Sequence, residues 1–189
     1  MRKFLTSMGF LALCACSTDA MREDLESVES ITGPALELQK KTLDGGCLTY
    51  VFGGKPLRDV MAAMPDAKSI PPRSTGSPTA TEAWRVGSQN LAYVMQLPNG
   101  TSCSASVQLG DPQRLYEAAV AMVQAHGAFS KGLVDASEKR DAERTTWCTS
   151  GPYPYVAVFY KRTSGSRHAF LANVFKAQGA QFSACLANS

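Results

Sequence analysis

Apolar residues recur along this chain at two spacings, and the changes between them divide it into elements. Between residues 19 and 32, Met21, Leu25, Val28 and Ile31 fall three or four apart among Glu23, Asp24, Glu26 and Glu29. That spacing predicts a helix with one apolar stripe on an acidic body. Gly33-Pro34 predicts its end, a short helical piece covers 35–42, and Asp44-Gly45-Gly46 predicts a turn. The stripe is expected to pack this segment on the domain that follows. Farther on the period falls to two: Cys103, Ala105, Val107 and Leu109 alternate with Ser102, Ser104, Ser106 and Gln108. This predicts a strand with Cys103 inward and the serines on a wet face. Strands are also expected from Leu91 to Leu97, from Tyr153 to Tyr160 and near His168 to Phe175. In the second of these, Tyr153, Tyr155 and Phe159 share one face while Val156, Val158 and Tyr160 share the other. A strand apolar on both faces is internal, which core packing favours, or presents aromatics to a partner, for which Tyr153 and Tyr155 beside the proline-rich loop are the candidate surface.

A self-match at an offset of 56 aligns residues 47–64 with 103–120. Seven positions are identical: the cysteines, Val51/Val107, Gly54/Gly110, Pro56/Pro112, Arg58/Arg114, Ala62/Ala118 and Ala63/Ala119. Both copies read as strand, glycine turn, proline at the first helical position, then helix. Asp111 is placed to cap the second helix through its orphan amides. Leu57, Met61 and Met64 line the first helix, and Leu115, Ala118, Ala119 and Met122 the second. Each helix is followed by a polar loop, a tryptophan (Trp84, Trp147) and a strand, with Tyr93-Val94 matching Tyr155-Val156 at an offset of 62. Pro98-Asn99-Gly100 predicts the turn between copies, and Thr163-Ser164-Gly165-Ser166 the turn into the last strand. The connecting stretches are long. Residues 65–83 hold Pro65, Pro71, Pro72 and Pro78 and predict a surface loop; residues 127–146 are charged and predict a loop with a short helix around Ser137 to Arg144.

Two strand-helix-strand repeats, an added C-terminal strand and an N-terminal helix define the expected fold. It is an α+β, two-layer sandwich that resembles the ferredoxin-like arrangement.

The N-terminus changes the picture from fold to location. Arg2 and Lys3 precede Phe4 to Ala15, an apolar stretch shorter than the roughly 20 residues a membrane span requires, and this reads as an export signal. It ends in Leu13-Cys14-Ala15-Cys16, which resembles the lipobox of bacterial lipoproteins. The resemblance covers residues 1–17 and implies cleavage before Cys16, with acyl chains on Cys16 that hold the protein on a membrane. An ordinary secretory leader cut near Ser17 is the alternative. Ser17, where an Asp marks inner-membrane retention in lipoproteins of enteric-type bacteria, implies the outer membrane, facing the periplasm. The expected organisation is therefore a signal peptide at 1–15, a lipidated N-terminus and helical spacer at 16–46, and a single disulfide-bonded domain at 47–189. Loss of Arg2 and Lys3 takes Lys plus Arg from 19 to 17 against 16 acids. A chain so close to neutral lacks the clustered basic surface that nucleic acid requires.

Cys47, Cys103, Cys148 and Cys185 remain in the mature chain, an even number that predicts two disulfides with three connectivities open. None has metal-ligand spacing, so no metal is expected, and no cofactor motif occurs: Gly53-Gly54-Lys55-Pro56 puts proline where a phosphate loop needs an amide. Only His126 and His168 could serve a nucleophile, no G-x-S-x-G elbow is present, and the strands carry almost no Asp or Glu. No catalytic residue is assigned. The expectation is a non-catalytic, membrane-anchored interaction module whose partner is another envelope protein, such as a secretion or toxin component. The alternatives are a small periplasmic hydrolase or wall-modifying enzyme, and a purely structural envelope lipoprotein.

Overall fold

A computed structural model describes residues 18–98, 101–137, 141–151, 153–163, 168–177 and 185. The lipobox with Cys16 lies outside these, as do Asn99-Gly100 and Ser164 to Ser166 of the expected turns and the side chains of Met21, Leu25 and Val28.

Eight strands form one antiparallel sheet: β1 (Ala67–Ile70), β2 (Glu82–Val86), β3 (Ala92–Gln96), β4 (Ser102–Val107), β5 (Ser130–Ser137), β6 (Ala142–Cys148), β7 (Tyr155–Arg162) and β8 (Phe170–Lys176). Their order across the sheet is β1-β2-β3-β4-β8-β7-β6-β5. Two four-strand meanders thus meet where β4 pairs with β8, through Cys103↔Val174 and Ala105↔Ala172. A helix precedes each meander: α3 (Leu57–Ala62) the first, α4 (Pro112–His126) the second. The repeated unit is helix followed by four strands.

This differs from the expected strand-helix-strand repeat and its five strands. Residues 47–53 are helical, so the first copy has no strand to match β4. At the offset of 56 the two helices also differ in burial: Leu57 is buried while its counterpart Gln113 is exposed, and Ala63 is exposed while Ala119 is buried. Two expected loops hold strands as well. The proline-rich stretch contains edge strand β1 and a 3-10 turn at Pro72–Thr75, and Trp84 lies within β2 rather than ahead of a strand. In place of a helix around Ser137 to Arg144, β5 and β6 form a hairpin with Ala136 opposite Glu143. Charged residues at the rim of a sheet can stay in water on every second position, so a charge run does not exclude a strand.

The N-terminal helix is longer than expected. α1 (Thr18–Gln39) runs through Pro34 into a π-helical segment, Lys40–Leu48, which contains Gly45-Gly46, and then into α2 (Thr49–Gly53). Pro34 is exposed, so its ring does not enter the core. Contacts on either side hold the helix: Thr32 Oγ1 accepts from Asp111 N at 3.0 Å, and Gln39 Nε2 donates to the Leu115 carbonyl at 2.8 Å. Ala35 packs on Gly110, where a built Cβ would stand 2.8 Å from it, and the φ of +113° there suits only glycine. In the π-helical turn, Gly46 lets the backbone approach Val94, whose Cγ2 would be 3.2 Å from an added Cβ.

α1 from Ala35 onward, the π-helical segment, α2, α3 and α4 contribute to one core on one sheet face. Leu43, Leu48, Val51, Leu57, Met61, Leu115, Ala119 and Val123 meet Trp84, Val94, Ala105, Phe159, Phe170 and Ala172. The 35–46 stretch packs on the sheet through Ala35, Leu43 and Gly46, not through the stripe, whose one described member, Ile31, is exposed. Asp111 caps α4 as expected, with Oδ1 accepting from Arg114 N at 2.8 Å and Pro112 in the first turn. Cys47 is bonded to Cys103, tying helix to sheet, and Cys148 to Cys185. The second bridge lies in a smaller cluster with Val156, Val158 and Ala177, flanked by Tyr160 and Phe175.

The serine face of β4 is not wet. Ser102, Ser104 and Ser106 are buried, the last with 1% exposure. Ser106 lies between Tyr93 and Leu171 in the register, and Ser104 between Met95 and Asn173. A short hydroxyl side chain about 5 Å from a larger neighbour on either strand has little path to solvent.

Candidate functional site

Two surface features bring together groups that could recognise a partner. The first surrounds Phe52, at the C-terminal end of α2. Its ring stacks on Tyr155 at the start of β7, with centroids 4.3 Å apart, and on His126 at the end of α4, 5.4 Å apart. Phe129 meets it edge-on at 6.1 Å, and Lys176 Nζ lies 5.8 Å from the Tyr155 ring centroid. Offset stacking and a cation over a ring face each follow from the aromatic quadrupole. Asp44 Oδ1 lies 2.7 Å from His126 Nε2 and fixes the imidazole. Tyr155 N donates to Thr149 Oγ1 at 2.9 Å, which anchors the bend before β7. Next to that bend Tyr153 stands 60% exposed.

Tyr153 and Tyr155, expected on one strand face, therefore have different roles. Tyr155 is half-buried and holds the stack together, whereas Tyr153 precedes the strand and projects to solvent. The proline-rich stretch is at the same end of the sheet but leads into β2, four strand positions from β7, or roughly 19 Å. It does not adjoin the tyrosines. Phe52 and the Asp44 to His126 contact were not legible in sequence, since α2 reads there as a strand and Asp44 as part of a turn. His126 at a helix end was the one available signal.

The second feature is a cavity of about 280 Å³ between α1 and the ends of β3 and β4, lined by Ile31, Pro34, Ala35, Leu38, Val107 and Leu109, with Ser30, Gln89 and Leu91 completing it. Ile31 and Leu109 at its wall are 39% and 43% exposed. Its described lining is apolar apart from Ser30 and Gln89, which suits an apolar group. A more open hollow of about 400 Å³ lies beside the proline-rich stretch, over Ile70, Pro72 and Trp84, with Arg58 paired to Glu82 at 3.1 Å.

Burial, and secondarily the charge of Glu82, raises the Tyr50 pKa above its ordinary value. Hydrogen bonding and charge from Glu29 raise that of Arg114. Among the described residues no group of three or more His, Cys, Asp or Glu could hold a metal ion, and no helix is long and apolar enough to cross a membrane. These features define an α+β protein with helices packed on one face of an antiparallel sheet and an aromatic corner at one end. No family model, curated protein or solved structure matches the chain.

Proposed function

We propose that this is an exported, lipid-anchored binding module of the bacterial envelope, without catalysis of its own, which docks another envelope protein at the aromatic corner. The observation that carries the docking surface is the exposed Tyr153 beside a rigid Phe52, Tyr155 and His126 stack. Large rings already held in place lose little conformational freedom on binding, and for this reason aromatics dominate interface hot spots. Export is supported by the pairing of all four cysteines expected in the mature chain into two disulfides. Anchoring follows from the resemblance at Leu13 to Cys16, with the outer membrane implied by Ser17.

A hydrolase is less well supported. Cys47, Cys103, Cys148 and Cys185 are bridged, the described lining of the apolar cavity holds no ionisable group, and the Asp44 to His126 contact serves to orient a ring within an aromatic stack.

The test is chemical capture in the native envelope with a photo-crosslinking residue at position 153 or at Leu109. One discrete crosslinked envelope protein is expected from position 153, lost on Phe52→Ala. No discrete product at 153, or the same product from 109, would overturn the assignment of the surface. Anchoring is tested separately: Cys16→Ser should leave the protein soluble or unprocessed, and normal processing with membrane retention would contradict it.

A further inference from the structure

We propose that the two disulfides have different functions: Cys47–Cys103 is a permanent staple, and Cys148–Cys185 is a clasp that a dithiol reductant can open in the folded protein. The difference lies in where each bridge sits. Cys47 and Cys103 are both fully buried, one in the π-helical segment and one in the centre of the sheet. A thiolate must reach a sulfur along the bond axis, and here that requires the helical layer to leave the sheet. Such an opening costs close to the whole stability of the domain. Cys185, by contrast, is half-buried and packs on the opposite face, against a cluster whose buried members are Cys148, Val156, Val158 and Ala177. Displacing Cys185 from that cluster leaves both the helix-to-sheet core and its bridge intact.

The chemistry is a two-electron exchange. A thiolate of the dithiol attacks the Cys185 sulfur, a mixed disulfide forms, and Cys148 leaves as a thiolate that takes a proton from water. The second thiol of the reductant loses its proton and attacks its own sulfur in the mixed disulfide, which frees Cys185. The reductant ends as a disulfide and the protein gains two thiols. Opening takes Cys185 out of its contact with the cluster of Cys148, Val156, Val158 and Ala177 and leaves the opposite face of the sheet packed. The inference does not depend on the lipid anchor or on the aromatic corner.

The experiment treats the native, full chain with graded dithiothreitol without denaturant, quenches with iodoacetamide and locates the alkylated cysteines by mass spectrometry. Cys148 and Cys185 should be alkylated at least about tenfold faster than Cys47 and Cys103. The near-ultraviolet dichroism of the aromatic core should persist while they react. The double variant Cys148→Ser/Cys185→Ser should keep the same dichroism. If it does not fold, the graded reduction of the natural chain still decides. Rates closer than tenfold, earlier opening of Cys47–Cys103, or loss of the core dichroism together with clasp opening would each overturn the proposal.

Discussion

At the residue scale, close approach of backbone sets the tightest requirements. Gly110 combines a φ of +113° with Ala35 Cβ at 2.8 Å from where its own Cβ would be. Gly110→Ala is expected to destabilise the protein by about 2–3 kcal/mol in urea unfolding, from backbone strain together with the contact. A change below about 0.5 kcal/mol would show that α1 does not rest on that turn. Tyr50 supplies a pH dependence. Its folded pKa is raised above 10.0, chiefly by burial, so the unfolded chain ionises first. The stabilisation is complete below 10.0 and is lost as pH rises through the higher folded value. Tyr50→Phe should flatten that alkaline loss in melting curves above pH 10.0. An unchanged alkaline slope would mean that other groups cause it.

Tertiary contact overrides local preference at the scale of elements. Gly33-Pro34 and Gly45-Gly46 are breakers by composition, yet one helical run passes through both. Thr32, Ala35 and Gln39 anchor it to the Gly110 to Leu115 stretch on one side, and Leu43, Cys47 and Leu48 to the sheet on the other. The cost of a proline inside a helix is about 3 kcal/mol relative to alanine, and less near a helix bend or at an exposed position. Pro34→Ala should accordingly stabilise the protein by about 1–2 kcal/mol, read from the urea midpoint at constant slope. Destabilisation would indicate that Pro34 fixes the wall of the apolar cavity. Elements with a single unambiguous signal were legible: α4 through Asp111, Pro112 and the Leu115 stripe, and β3, β4, β7 and β8 through their apolar alternation or runs. β1, β5 and β6 were not, because edge and rim strands bury little and so carry prolines and charges that read as loop.

For the whole molecule, the Cys47–Cys103 bond joins the two layers across 56 residues. Chain-entropy arguments give a loop of this length about 4 kcal/mol. Cys47→Ala/Cys103→Ala should lower stability by about 3–4 kcal/mol in chemical unfolding. A loss under about 1 kcal/mol would mean that packing alone holds the helical layer in place. The candidate site was half legible at this scale. Tyr153 and Tyr155 stood out as aromatics on a strand, but their separation into an exposed ring and a stacked one depends on Phe52 and His126, which are 101 and 27 residues before Tyr153.

Sequence alone determined the periods: a helical stripe here, an alternating strand there, a capped start at Asp111, and an even set of cysteines in the mature chain. These are local, because side-chain direction follows from backbone repeat within a few residues. Pairing was decided by the folded molecule. The order of eight strands, the choice among three disulfide connectivities, the burial of the β4 serines and the aromatic corner all join residues far apart in the chain. Their energies come from surfaces that exist only after the meanders meet at β4 and β8, where no local pattern carries the information.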